Sequence, residues 1–102
     1  MIELLNELNK IDVMYQNNHR TQLDSLHNLY EITNSTHDQQ YIMAFCHEFF
    51  VFALSISNIF INNYELQKLI LLYNSGMDIK SGLMYSKLAK EFIDNITSLN
   101  KW

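Results

Sequence analysis

His37-Asp38-Gln39-Gln40-Tyr41-Ile42-Met43-Ala44-Phe45-Cys46-His47-Glu48-Phe49-Phe50-Val51-Phe52-Ala53-Leu54-Ser55-Ile56-Ser57-Asn58-Ile59-Phe60-Ile61 is the most apolar stretch of the chain, and its reading decides the fold. Wound at about 100° per residue, it sets Ala44, His47, Glu48, Val51, Ser55, Asn58 and Asn62 along one narrow small-or-polar stripe. Tyr41, Ile42, Phe45, Phe49, Phe50, Phe52, Leu54, Ile56, Ile59, Phe60 and Ile61 cover most of the remaining circumference. A helix apolar around so much of its girth has to be surrounded. Residues 49–61 are rich enough in Phe and Ile to form a strand, but the helical phases on either side leave a strand little to pair with. The reading is a buried helix over about 37–61.

The same stretch is about long enough to cross a bilayer. His47-Glu48 interrupts it, and a carboxylate in hydrocarbon is costly. The run beyond still holds Ser55, Ser57 and Asn58, and no Lys or Arg cluster flanks either end. The expected surroundings are therefore protein, with no membrane partner.

Upstream, Leu4, Leu5, Leu8, Ile11, Tyr15, Leu23, Leu26, Leu29 and Tyr30 keep one helical phase across residues 2–33. That phase favours one long helix, bent near Asn17, over two helices in register. Asn34-Ser35-Thr36-His37-Asp38 reads as a connection, with Thr36 and Gln39 at capping-box spacing. Downstream, Asn62 with Glu65 repeats that signal and opens a helix over 63–75 whose inner face is Leu66, Leu69, Ile70 and Tyr73. Gly76 suits its C-cap. After Asp78 or Ser81, Tyr85, Leu88, Ala89, Phe92, Ile96 and Leu99 form a stripe opposite Lys80, Lys87, Lys90, Glu91, Asp94 and Lys101, an amphipathic last helix over 79–100. The expected architecture is all-α, a small irregular bundle of three to five helices (about 2–33, 37–61, 63–75, 79–100) with the second central, in one domain of 102 residues.

Bulk composition agrees. The chain is 48% hydrophobic and 18% charged, enough apolar content for a core. It has no Pro and only Gly76 and Gly82, too few turn residues for a many-turned β fold. The lone Cys46 cannot form an internal disulfide, which suits a reducing setting. Acids stand where an export signal would carry bases, at Glu3 and Glu7, so a cytoplasmic location is expected. Abundant Asn, Ile and Tyr with a single Arg are typical of AT-rich genomes.

Chemistry-bearing patterns are sparse. His47-Glu48 begins like the zinc-protease motif, but the second His would fall at 51, where Val51 stands. Asp24, His27 and Glu31 share a helix face, and di-iron bundles would need comparable ligands on a facing helix. Arg20 and His27 lie two turns apart, a spacing similar to the Arg and His pairing of HEPN-type ribonucleases, all-α proteins that cut RNA without metal; the similarity covers these two residues. Cys46 and His47 are adjacent and point about 100° apart, unsuited to a nucleophile and its base. Gly-rich phosphate loops, nucleophile elbows and Cys pairs are absent. No catalytic residue, cofactor or metal is expected, and a net charge of −4 disfavours nucleic acid.

Charge is unevenly spread. Residues 1–50 hold Lys10 and Arg20 against seven acids, a net of −5, whereas residues 51–102 hold five Lys against four acids, a net of +1. The acidic half suits a partner with a basic surface. The expected role is a small intracellular protein-binding inhibitor, such as a toxin-immunity protein or a phage or mobile-element inhibitor of a bacterial defence system. A self-associating structural or regulatory protein, possible as a homodimer, is the alternative, and a HEPN-like ribonuclease using Arg20 and His27 a further one. Asp24, Glu31, Asp38, Tyr41, Tyr64 and Trp102 are the candidate contact residues; a role for the His47, Glu48, Ser55, Asn58 stripe stays open.

Overall fold

The corner between the first two helices is built from hydroxyl side chains. In the computed structural model, which describes residues 19–73 and 78–99, α1 spans His19–Thr36 and α2 spans Gln39–Ile56. The expected connection at Asn34-Ser35-Thr36 is instead the last turn of α1. Ser35 Oγ donates to the Glu31 carbonyl at 2.8 Å and Thr36 Oγ1 to the Ile32 carbonyl at 3.0 Å, each bonding back one turn along the helix. His37 then adopts φ 51°, in the left-handed region, and its N–H donates to the Thr33 carbonyl at 2.9 Å. The N-cap of α2 is Asp38, whose Oδ1 accepts from the Gln40 N–H at 2.8 Å; it takes the place of the expected Thr36–Gln39 box.

α2 stops at Ile56, five residues before the expected end at 61. Ser57 donates both its N–H (3.4 Å) and its hydroxyl (2.8 Å) to the Leu54 carbonyl, and Ser55 Oγ donates to the Phe52 carbonyl at 2.6 Å. Such local bonds compete with helix propagation. Tight turns follow, and Phe60 tucks back into the core with its ring 6.2 Å from Phe92. α3 (Tyr64–Tyr73) opens on Asn63, whose Oδ1 accepts from the Leu66 N–H at 2.9 Å, one residue after the expected Asn62. α4 (Ile79–Leu99) opens on Asp78, as expected, with Oδ1 accepting from the Ser81 N–H at 2.8 Å. The expected helix over residues 2–18, the expected Gly76 cap and Trp102 lie outside the described residues.

The result is an all-α bundle, with no strand among the described residues. α2 and α4 pack against each other and each touches both α1 and α3, so the second expected helix is central. Phe49 is fully buried, with the rings of Phe45, Phe52, Tyr85 and Phe92 6.0 to 6.4 Å away. Removing a ring of that size from water contributes about 1.5–3 kcal/mol. Gly82 lets α4 approach α2 closely: a Cβ there would stand 2.7 Å from Ile42 Cγ2.

The enclosure of α2 is narrower than its composition suggested. Ile42, Phe45, Cys46, Phe49, Phe52, Ala53 and Ile56 are buried, but Met43, Val51 and Leu54 remain 39 to 49% exposed beside the polar stripe. The other three described helices cover one broad face of α2 and leave Met43, Val51 and Leu54 exposed. No helix among the described residues is long and apolar enough to cross a membrane.

Candidate protein-binding surface

α1 turns Leu23, Leu26 and Thr33 into the core, which places Thr21, Gln22, Ser25 and Leu29 on its flank toward α2. The inward turn of Phe45, Phe49 and Phe52 likewise sets Glu48 and Val51 on the facing flank of α2. Together these flanks line a groove of about 170 Å³ with Leu26, Leu29, Val51 and Phe52 as its apolar part. Thr21, Gln22 and Ser25 supply neutral polar groups along one side, and Glu48 is its one ionisable lining residue. A Lys or Arg side chain matches this layout, its stem along the apolar residues and its cation at Glu48.

The surrounding charge has the same sign. Asp24, Glu31, Asp38 and Glu48 are all exposed, and among the described residues none of them is in an ion pair. Arg20 is the only Lys or Arg of α1 and α2. On α4 the situation differs: Lys90 Nζ donates to both oxygens of Asp94, at 2.8 and 3.0 Å, and lies 5.3 Å from the centre of the Tyr30 ring.

The six candidate contact residues do not gather in one place. Asp38 and Tyr41 open α2, whereas Tyr64 opens α3 beyond the far end of α2. Tyr64 is 80% exposed. Asp24 and Glu31 share the α4-facing flank of α1 with His27, away from the groove; Trp102 is outside the described residues. Glu48, whose polar stripe the sequence reading left open, is the acid that lines the groove. Its signal was an acid one turn from Val51 on a helix whose other flank is aromatic.

The remaining chemistry-bearing residues are engaged individually. His27 stands in the α1–α4 seam with Nε2 3.3 Å from Thr97 Oγ1 and Nδ1 3.8 Å from Asp94 Oδ1, while Arg20, Asp24 and Glu31 are exposed. Among the described residues no group of three or more His, Cys, Asp or Glu is arranged to hold a metal. Cys46 is buried, its Sγ 3.7 Å from the Gly82 carbonyl, and burial pushes the thiol up to about 12. That disfavours the nucleophilic thiolate. His47 points the other way, exposed, with Nδ1 3.3 Å from Tyr73 Oη. The chain matches no known protein family, curated protein or solved structure with which it was compared.

Proposed function

We propose that the chain acts by binding, as a protein inhibitor that engages a basic surface of its partner inside the cell, in the manner of a toxin-immunity protein or a mobile-element inhibitor of a defence system. The observation that carries the reading is a groove between α1 and α2 whose one ionisable lining residue is Glu48, on a pair of helices that also expose Asp24, Glu31 and Asp38, none of these acids ion-paired among the described residues. Unneutralised acids of one sign steer a basic partner and accelerate encounter. The groove then adds a desolvated anchor, where single Arg contacts are worth most. The buried, protonated Cys46 supports a binding role over a thiol-based one.

The test is affinity capture from the source cells at physiological ionic strength, with the wild-type chain beside the Asp24→Lys/Glu48→Lys variant. Both positions are exposed, so the variant keeps its fold. A basic protein held by the wild type, released by added salt and lost with the variant is the expected result. Identical capture by both, or none by either, contradicts the proposal.

A further inference from the structure

A second groove, of about 220 Å³, runs between α3 and α4. The two helices are consecutive in the chain and pack against each other, so their lining residues pair off across it. Leu72 and Leu88 are nearest the chain reversal, Lys68 and Glu91 lie in the middle, and Glu65 and Asn95 are at the far end. Of the six large apolar side chains exposed on these two helices among the described residues, Leu72 and Leu88 line the groove. Met84, 62% exposed, continues the line of Leu88, Glu91 and Asn95 by one turn. An apolar strip of this kind is what an association surface leaves open in the free chain.

Its charges differ from those of the α1–α2 side. Here both signs are present, Lys68 on one wall and Glu91 on the other, and among the described residues neither forms an ion pair within the chain. We propose that this face binds a second copy of the same chain about a two-fold axis running along the groove. That axis lays α3 of each copy over α4 of the other, because it exchanges the two walls while keeping the level along the helices. Lys68 of each copy then meets Glu91 of its mate, Leu72 meets Leu88, and Glu65 meets Asn95. A two-fold lying across the helices would instead set Lys68 on Lys68 and Glu91 on Glu91, so the charges select the first arrangement. A purely basic partner is opposed by Lys68 and a purely acidic one by Glu65 and Glu91, whereas a second copy offers the opposite charge to both Lys68 and Glu91, which makes it the matching occupant. The two grooves share no lining residue, so the dimer does not depend on what the acidic groove binds.

Sedimentation equilibrium on the full chain tests the pairing through charge exchange. The wild type is expected to be dimeric at micromolar concentration, and Lys68→Glu and Glu91→Lys, both at exposed positions, are each expected to weaken the dimer roughly tenfold. An equimolar mixture of the two single variants should associate more tightly than either alone, since every crossing then joins opposite charges, and the Lys68→Glu/Glu91→Lys double variant should recover wild-type association. A monomeric wild type overturns the proposal. So do single variants that dimerise like the wild type, or a mixture no tighter than its components.

Discussion

The hydroxyl of Tyr85 is buried beside Phe49 with no hydrogen-bond partner among the described residues, and an unsatisfied buried polar atom costs about 1–3 kcal/mol. Burial, with smaller contributions from the nearby Cys46 and Tyr73, raises its pKa above the ordinary 10.0, and burial raises the Cys46 thiol from 9.0 to about 12. Both groups are held neutral in the folded chain and ionise more readily when it unfolds. Their contribution is therefore complete below pH 9.0 and declines as pH rises toward 12. Tyr85→Phe is expected to match or exceed wild-type stability at neutral pH and to lose less above pH 10; thermal unfolding measured across that range checks both statements. At this scale the sequence revealed identity and phase but not satisfaction. Tyr85 was recognisable as a stripe residue of the last helix, whereas its lack of a partner depends on three helices meeting. Glu48 was hidden for the same reason, since its place at a groove edge is set by which flank of α2 receives α1.

The helix ends at residues 35–38, 55–57, 63 and 78 are set by local bonds, and these ends were the least legible elements. Hydrophobic period located all four helices, but an Asn, Ser, Thr or Asp cluster offers several caps, and one side-chain rotamer decides among them. At Asn34–Asp38 the helix runs on to Thr36, the Ser35 and Thr36 hydroxyls bond back to the Glu31 and Ile32 carbonyls, and the cap falls on Asp38. The chain then reverses through His37 at φ 51°, a conformation that costs an L-residue about 1–2 kcal/mol. His37→Gly is expected to raise the unfolding free energy by roughly 0.5–1 kcal/mol, the gain reduced by the greater freedom of Gly in the unfolded chain. Chemical denaturation of the two proteins measures it, and a clear loss of stability would show that the His37 side chain itself holds the corner. The early stop of α2 has the same origin: the hydrophobic pattern continues to Ile61, but Ser55 and Ser57 bind the backbone within one turn.

For the molecule as a whole, the order and centrality of the helices could be read from composition, because residues 37–61 demanded neighbours and the flanking stripes supplied them. The degree of enclosure could not. Counting apolar residues around α2 implied burial on nearly every side, yet the width of its covered face is set by how many helices fit around a rod, and here Val51 and Leu54 stay open. The charge asymmetry was also visible beforehand, as the excess of acids in the first half. What the fold adds is their distribution: acids without ion-paired partners among the described residues on α1 and α2, and mixed signs across the α3–α4 groove. Surfaces of such different character are the basis of the two modes of association proposed for this bundle.

The whole account rests on α2 being the inner helix of its own chain. Amide hydrogen exchange read residue by residue tests this most directly. The backbone N–H groups of Phe45, Phe49, Phe52 and Ala53 are predicted to be the slowest in the chain and to exchange only through global unfolding. Exchange at these positions as fast as in the short helix Tyr64–Tyr73, under conditions where the chain is folded, would contradict it.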